Sequence, residues 1–160
     1  MSIIVSLDPS TKSTGYAVFK DNTLIDKGVF QSKSKDVLER IWHIQNEVVE
    51  LIRYYEPDNM AMENVMITMS APTAKSLLGL ELILELEAYK HKIPCTLIRP
   101  SSWRKTLGLS NSPKLNRAAK KQEAIDYVNK KYNLNEKTDD ITDAICIGEA
   151  FLKEKKEDTN

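Results

Sequence analysis

The stretch SIIVSL at residues 2–7 limits the possible folds of this chain more than any other segment. It is short, apolar and rich in β-branched residues, and it ends at Asp8-Pro9. Such a run reads as a buried central strand. After the polar turn PSTKST, GYAVFK at residues 15–20 alternates. Asp21-Asn22 then has the composition of a hairpin turn, and the strand TLIDKGVF comes next. Three strands in close succession predict an antiparallel meander.

After the third strand the hydrophobic period changes. Val37, Ile41, Ile44, Val48, Leu51, Ile52 and Tyr55 fall at helical spacing, which predicts one helix over 36–56, stopped by Pro57-Asp58. NMAME at 59–63 is a short strand expected to cross over parallel to the first. A second helix is expected over 71–91. Its leucines (Leu77, Leu78, Leu80, Leu82, Leu84 and Leu86, with Ile83) leave little polar face, so it is expected to be deeply buried or to form an oligomer interface. Gly79 inside it suggests a close backbone approach. A strand at 95–100 and helices near 101–107, 115–131 and 139–154 complete the chain. The order βββαβαβα predicts an α/β fold, a mixed sheet with helices on both faces.

The length, 160 residues, suits one domain, expected over 1–154 with a frayed charged tail at 155–160. The two cysteines, Cys95 and Cys146, lack CxxC spacing and read as buried free thiols in a reducing, cytoplasmic compartment. No signal peptide is expected, because the chain enters a strand without a basic leader. No apolar run is long enough for a membrane span. Net charge is zero, but its distribution is uneven: between positions 99 and 131 there are nine Lys/Arg and two acids, a local excess of +7. That asymmetry marks a side facing a polyanion.

Four carboxylates supply the candidate chemistry. Asp8 and Glu63 each end a strand, and a parallel crossover makes those ends neighbours, at the edge where open α/β sheets place their sites. Asp140 and Asp143 are three apart on a helix and share a face. Asp139 beside them is expected to be a cap, since acids favour the first helical turn. Taken singly, Asp8 serves a turn as readily as a site, and Glu63 reads as a solvated strand end. Together the acids form an oxygen-rich set with few histidines and no close cysteines, which suits a hard cation.

SIIVSLDPSTKSTGYAVF resembles the opening of RuvC-type Holliday-junction resolvases: a strand, Asp-Pro, then Thr-Gly and an aromatic. MAMENVMI resembles the second acidic strand of that family, and DDITDAICIG resembles its closing helix. The likeness covers nearly the whole chain and looks most like phage-encoded members. It implies an RNase H-like fold and a homodimer that resolves four-way (Holliday) junctions and other branched DNA, in DNA recombination and repair. It further implies that Asp8, Glu63, Asp140 and Asp143 ligate two Mg²⁺ ions, with Mn²⁺ as a substitute, and that hydrolysis leaves 5′-phosphate and 3′-hydroxyl ends. Two residues depart from the pattern. Ser10 replaces the glycine after Asp-Pro, and Met66 replaces an aromatic that stacks on a junction base, so weaker stacking is expected.

By the same resemblance Arg104 and Lys120 match lysines near the active site, with Lys120 in a catalytic role. Lys105, Lys114, Arg117 and Lys121 are expected on the DNA backbone, with Lys12 facing the same groove. For each alone, a solvated surface charge is the simpler reading. Trp103 is expected in the core rather than as a base stacker. Two alternatives stay open: a nuclease of the same fold acting on RNA–DNA hybrid or structured RNA, and a junction-binding protein that does not cut. No helicase partner is assigned.

Overall fold

The computed structural model describes residues 1–67 and 70–158. Its centre is a five-stranded sheet in the order β3-β2-β1-β4-β5. The strands are β1 (Ile3–Asp8), β2 (Ser13–Lys20), β3 (Thr23–Gln31), β4 (Asn59–Glu63) and β5 (Cys95–Ile98). The expected meander is present: β1 pairs antiparallel with β2, and β2 with β3. Asp21 and Asn22 both take positive φ (47° and 70°), the backbone of a two-residue hairpin turn matched to strand twist. The parallel crossover is also present, with Leu7 opposite Met62, and β5 extends the parallel half.

Two helical layers cover the sheet. Helix α1 (Val37–Tyr55) makes the first crossover and α2 (Ala71–Lys90) the second. Asp36 caps α1, accepting the Leu38 N–H, and a left-handed Glu56 ends it before Pro57. Together α1 and α2 bury Ile44, Val48, Leu80 and Leu84 against Val5, Leu7, Met60 and Met62. On the opposite face lies α5 (Asp139–Glu157), backed by α3 (Pro100–Thr106) and α4 (Arg117–Tyr132). There Ala144, Ile145 and Ile147 join Ile4, Ala17 and Ala61. The alternation of β1 and β4 thus divides their side chains between two cores, as a period of two requires.

Helix α5 lies unusually close to the sheet. Ser6, fully buried, donates its hydroxyl to the Ala144 carbonyl at 2.7 Å. A Cβ on Gly148 would overlap the Phe19 ring, and one on Gly15 would overlap the backbone carbonyl of Asp140. Gly15 sits opposite Asp8 in the β1–β2 ladder. The missing side chain at Gly15 is therefore what lets the start of α5 descend onto the end of β1.

Several expectations need correction. Helix α2 is not buried all round: Leu80, Leu84 and Ala88 are in the core, whereas Leu82 and Leu86 are exposed. The polar Glu81 and Glu87 are buried instead, each holding a specific donor. Gly79 makes no close approach, since a Cβ there would meet open space. Cys146 is buried but Cys95 only partly so, and both are free. Residues 155–157, expected in a frayed tail, continue α5; residues 159–160 of that tail lie outside the described residues. Among the described residues no helix is long and apolar enough to cross a membrane.

Because the neighbour at Gly15 is backbone, an added methyl cannot be relieved by a rotamer change. Gly15→Ala is expected to cost about 1–3 kcal/mol, the usual range for overpacking, read as a lower urea midpoint with an unchanged slope.

Candidate active site

The period-two alternation that divides the cores also aims the acids. Ile4 and Ser6 on β1 face α5, as does Ala61 on β4. Asp8 and Glu63 lie two residues further along their strands and so point to the same side. With Leu7 opposite Met62, these two carboxylates are the next residues on adjacent parallel strands. Helix α5 begins over this spot and brings Asp139, Asp140 and Asp143 toward it.

The result is a cleft of about 500 Å³ lined by Asp8, Pro9, Ser10, Glu63, Asn64, Val65, Met66, Leu77, Pro100, Arg117, Lys121, Asp139 and Asp140. A larger groove, about 610 Å³, runs beside β3, Tyr132 and Leu134 but holds none of the sequence-predicted site residues. The smaller cleft is the candidate because charge converges there.

The carboxylates are held differently. Asp140 accepts a hydrogen bond from the Ser13 hydroxyl at 2.9 Å. Glu63 accepts one from the Trp103 indole at 2.8 Å. Asp139 pairs with Lys121. Among the described residues no hydrogen bond reaches the carboxylates of Asp8 or Asp143. Burial, reinforced by Glu63, Asp143, Asp140 and Asp139, holds the Asp8 carboxyl well above the usual range. Asp143 is pushed up to about 8 by burial, then by Glu63 and Asp139, with Lys121 and Arg104 opposing. Glu63 is raised by burial and by Asp139, against the Trp103 hydrogen bond and Arg117. Mutually repelling acids in one cleft are what a bound cation relieves.

The donor set fits a hard divalent ion, since every candidate ligand atom is a carboxylate oxygen. Asp8, Glu63, Asp139 and Asp140 line the cleft and Asp143 does not, and the acids do not close on one point: among the described residues no three His, Cys, Asp or Glu form a group that could hold an ion as they stand. Mg²⁺ is usually bound by only one or two carboxylates, and waters and substrate phosphates complete its shell. An open set of acids at a cleft meets that need.

The basic residues separate into groups. Arg117 and Lys121 line the cleft; Lys120, the expected catalytic lysine, does not. Residues 117 and 121 are four apart on α4, one above the other, which directs both to the acids. Lys12, Lys105 and Lys114 are exposed and outside the lining, whereas Met66 is exposed within it. Arg104 corrects the reading most sharply, being 6% exposed. It donates to the Ser110 and Lys120 carbonyls, pairs with Glu123, and so is not presented to DNA. With Lys121–Asp139 and Lys131–Glu149, three of the nine cations behind the local excess are satisfied within the molecule. Asp139 is not the expected cap: Thr138 occupies that position, and Asp139 is the first helical residue, facing the cleft. Trp103 is in the core as expected, but its bond to Glu63 has no counterpart in the sequence reading. A buried indole N–H demands an acceptor, yet no local spacing names one forty residues away.

The pH response follows from the raised carboxyls of Asp8, Glu63 and Asp143, and Asp143 sets the window. Between the ordinary 3.8 and about 8, the folded state holds a proton that the unfolded chain has released. The unfolded state then binds fewer protons, so stability falls as pH rises across that window. Urea midpoints measured in chelator are expected to drop from about pH 4 to about pH 8, and Asp143→Asn is expected to lessen the drop, with Asp8 and Glu63 supplying the rest.

Comparisons with known proteins bear on the family and the fold. The family model for crossover junction endodeoxyribonuclease RuvC matches residues 4–150. The RuvC of Shewanella sediminis is 36% identical over 81 residues, covering 48% of this chain and 47% of that protein. The chain thus spans about half the length of that relative. The Ehrlichia chaffeensis RuvC is 29% identical over 158 residues, covering 96% and 97%. Among solved structures, T. thermophilus RuvC in complex with a Holliday junction substrate superposes with a TM-score of 0.81 at 16% identity, covering 98% of this chain and 97% of that one. At such identity the likeness establishes the fold, which is the RNase H-like arrangement expected. None of these matches bears on the expected phage origin.

Proposed function

This chain belongs to the crossover junction endodeoxyribonuclease RuvC family, and we propose that it is a structure-selective endodeoxyribonuclease that resolves four-way DNA junctions. One observation supports this above the others. Asp8 and Glu63 end adjacent parallel strands, α5 brings Asp140 to the same cleft and Asp143 within electrostatic reach of Asp8 and Glu63, and Arg117 and Lys121 line the cleft. The function depends on a divalent cation. We take that cation to be Mg²⁺, two per site, with Asp8, Glu63, Asp140 and Asp143 as ligands. Held there, the cation would supply acidification of a water and charge compensation at a leaving 3′ oxygen, chemistry that would give 5′-phosphate and 3′-hydroxyl ends.

The chain's own residues bind and orient the substrate. Arg117 and Lys121 offer positive charge at the lip, where the phosphate backbone enters. Lys121 also offsets the charge of Asp139 and so keeps the acidic cleft approachable by a polyanion. Ser13 and Trp103 hold two carboxylates in place before substrate arrives. Met66 is exposed on the loop after β4 and lines the cleft, which supports a role in pressing against a base at the junction centre, with less stacking than an aromatic gives. Lys12, Lys105, Lys114 and Lys120 are more distant contacts to the backbone.

A four-way junction is close to two-fold symmetric, so a symmetric dimer would present one cleft to each of two opposing strands. The layer of α1 and α2 offers the apolar face for this: Leu38 and Trp42 on α1 and Leu82 and Leu86 on α2 are exposed.

The test incubates labelled synthetic junction, linear duplex and RNA–DNA hybrid with Mg²⁺ or Mn²⁺. Paired symmetric nicks confined to the junction are the expected result. Cutting of the hybrid alone, or binding without cleavage in either metal, would overturn the proposal. Asp8→Asn is expected to lose at least the roughly hundredfold that outer-shell partners of a metal already cost, while junction binding persists. Arg117→Ala is expected to reduce the salt slope of junction binding by about one phosphate contact. Lys120→Ala is expected to change it less, as measured by fluorescence anisotropy across a salt series.

A further inference from the structure

Trp103 lies in the short helix α3 and is 3% exposed. Its indole N–H donates to Glu63 Oε2 at 2.8 Å. The neighbouring Arg104 ties α3 to α4, through the Lys120 carbonyl at 3.1 Å and through Glu123. The Arg104 guanidinium also lies 5.3 Å from the centre of the Trp103 ring, so the ring is held on one face by a cation that is itself fixed. The donor aimed at Glu63 is therefore rigid. Among the described residues no donor reaches Glu63 Oε1.

We propose that Trp103 is a positioning residue for the cleft: its indole occupies one oxygen of Glu63, fixes the carboxylate plane, and leaves Oε1 as the oxygen that takes the cation. This rests on the reading of Glu63 as a metal ligand. The terminal torsion of a glutamate is broad and roughly two-fold, so the side chain has no preferred plane of its own. A single immobile donor supplies one. Metal-ligating side chains commonly depend on such an outer partner for orientation. A tryptophan that only filled the core would have been equally served by a backbone carbonyl, and its ring could be replaced by phenylalanine without effect on the cleft.

The chain has two tryptophans, and the other, Trp42, is 67% exposed on α1. The two indole N–H signals of the full-length ¹⁵N-labelled protein are therefore a direct readout. On titration with Mg²⁺ the Trp103 signal is expected to move saturably while the Trp42 signal stays, and Glu63→Gln is expected to abolish the movement. Trp103→Phe keeps an aromatic ring and removes the donor. By calorimetry it is expected to bind Mg²⁺ roughly ten- to a hundredfold more weakly, with an unchanged circular dichroism spectrum. A Trp103 signal unmoved by Mg²⁺, or wild-type Mg²⁺ affinity in Trp103→Phe, would overturn the assignment and leave a packing role only. If the variant fails to fold, the signal in the native chain decides. A native chain whose Trp103 responds to Mg²⁺ but which cuts no junction would sink the nuclease reading and leave this one standing.

Discussion

The close seating of α5 on the sheet is the constraint on which the rest of this molecule depends. The helix touches β1 through the Ser6–Ala144 hydrogen bond and approaches β2 where Gly15 and Gly148 offer no side chain. Interiors are packed too tightly for such an approach with ordinary side chains at both glycines. Without it, Asp140 and Asp143 would stand away from Asp8 and Glu63, and the helix pair of acids would be solvated charges apart from the strand pair. The same seating buries the acids and crowds them together, and burial first, then their repulsion, raises the carboxyls of Asp8 and Asp143. Packing energy from the α5 core is thus set against electrostatic strain at its N-terminal end. A divalent cation would relieve that strain.

Charge in this protein is arranged in layers rather than spread over a face. Part of the basic excess after position 99 is used internally, by Arg104 on Glu123, Lys121 on Asp139 and Lys131 on Glu149. What remains at the lip is small, chiefly Arg117 and the partly engaged Lys121. A buried arginine is costly unless its donors are satisfied, and Arg104 meets that requirement with two carbonyls and a carboxylate. Its function is thereby moved from substrate contact to holding α3 against α4.

The antiparallel meander, the hairpin at Asp21-Asn22 and the parallel partnership of β1 with β4 were legible because they rest on local period, turn chemistry and crossover connections, whereas the place of β5 was not. So was the shared helix face of Asp140 and Asp143. The fates of Arg104, Lys120 and Lys121 were not. All three lie in a basic stretch whose composition is the same whichever residue turns inward, and the choice depends on where Glu123 and Asp139 fall in space. Gly79 and the leucines of α2 misled for a related reason. Apolar content gives no direction when the helix has little periodicity, and the buried glutamates Glu81 and Glu87 took core-facing positions because specific donors awaited them. The resemblance carried by Thr14-Gly15-Tyr16 was visible as a motif, but its physical meaning, a gap for the Asp140 carbonyl, was not.

By itself the sequence determined the identity of the acids and their positions at neighbouring strand ends and on one helix face. These are one-dimensional properties, set by periods of two and of about 3.6 residues. Only the tertiary structure decided which cations meet those acids, that Asp139 faces the cleft rather than capping its helix, and that Trp103 donates to Glu63. Those outcomes depend on contacts between residues many positions apart, and their partners are selected by how closely α3, α4 and α5 pack on the sheet.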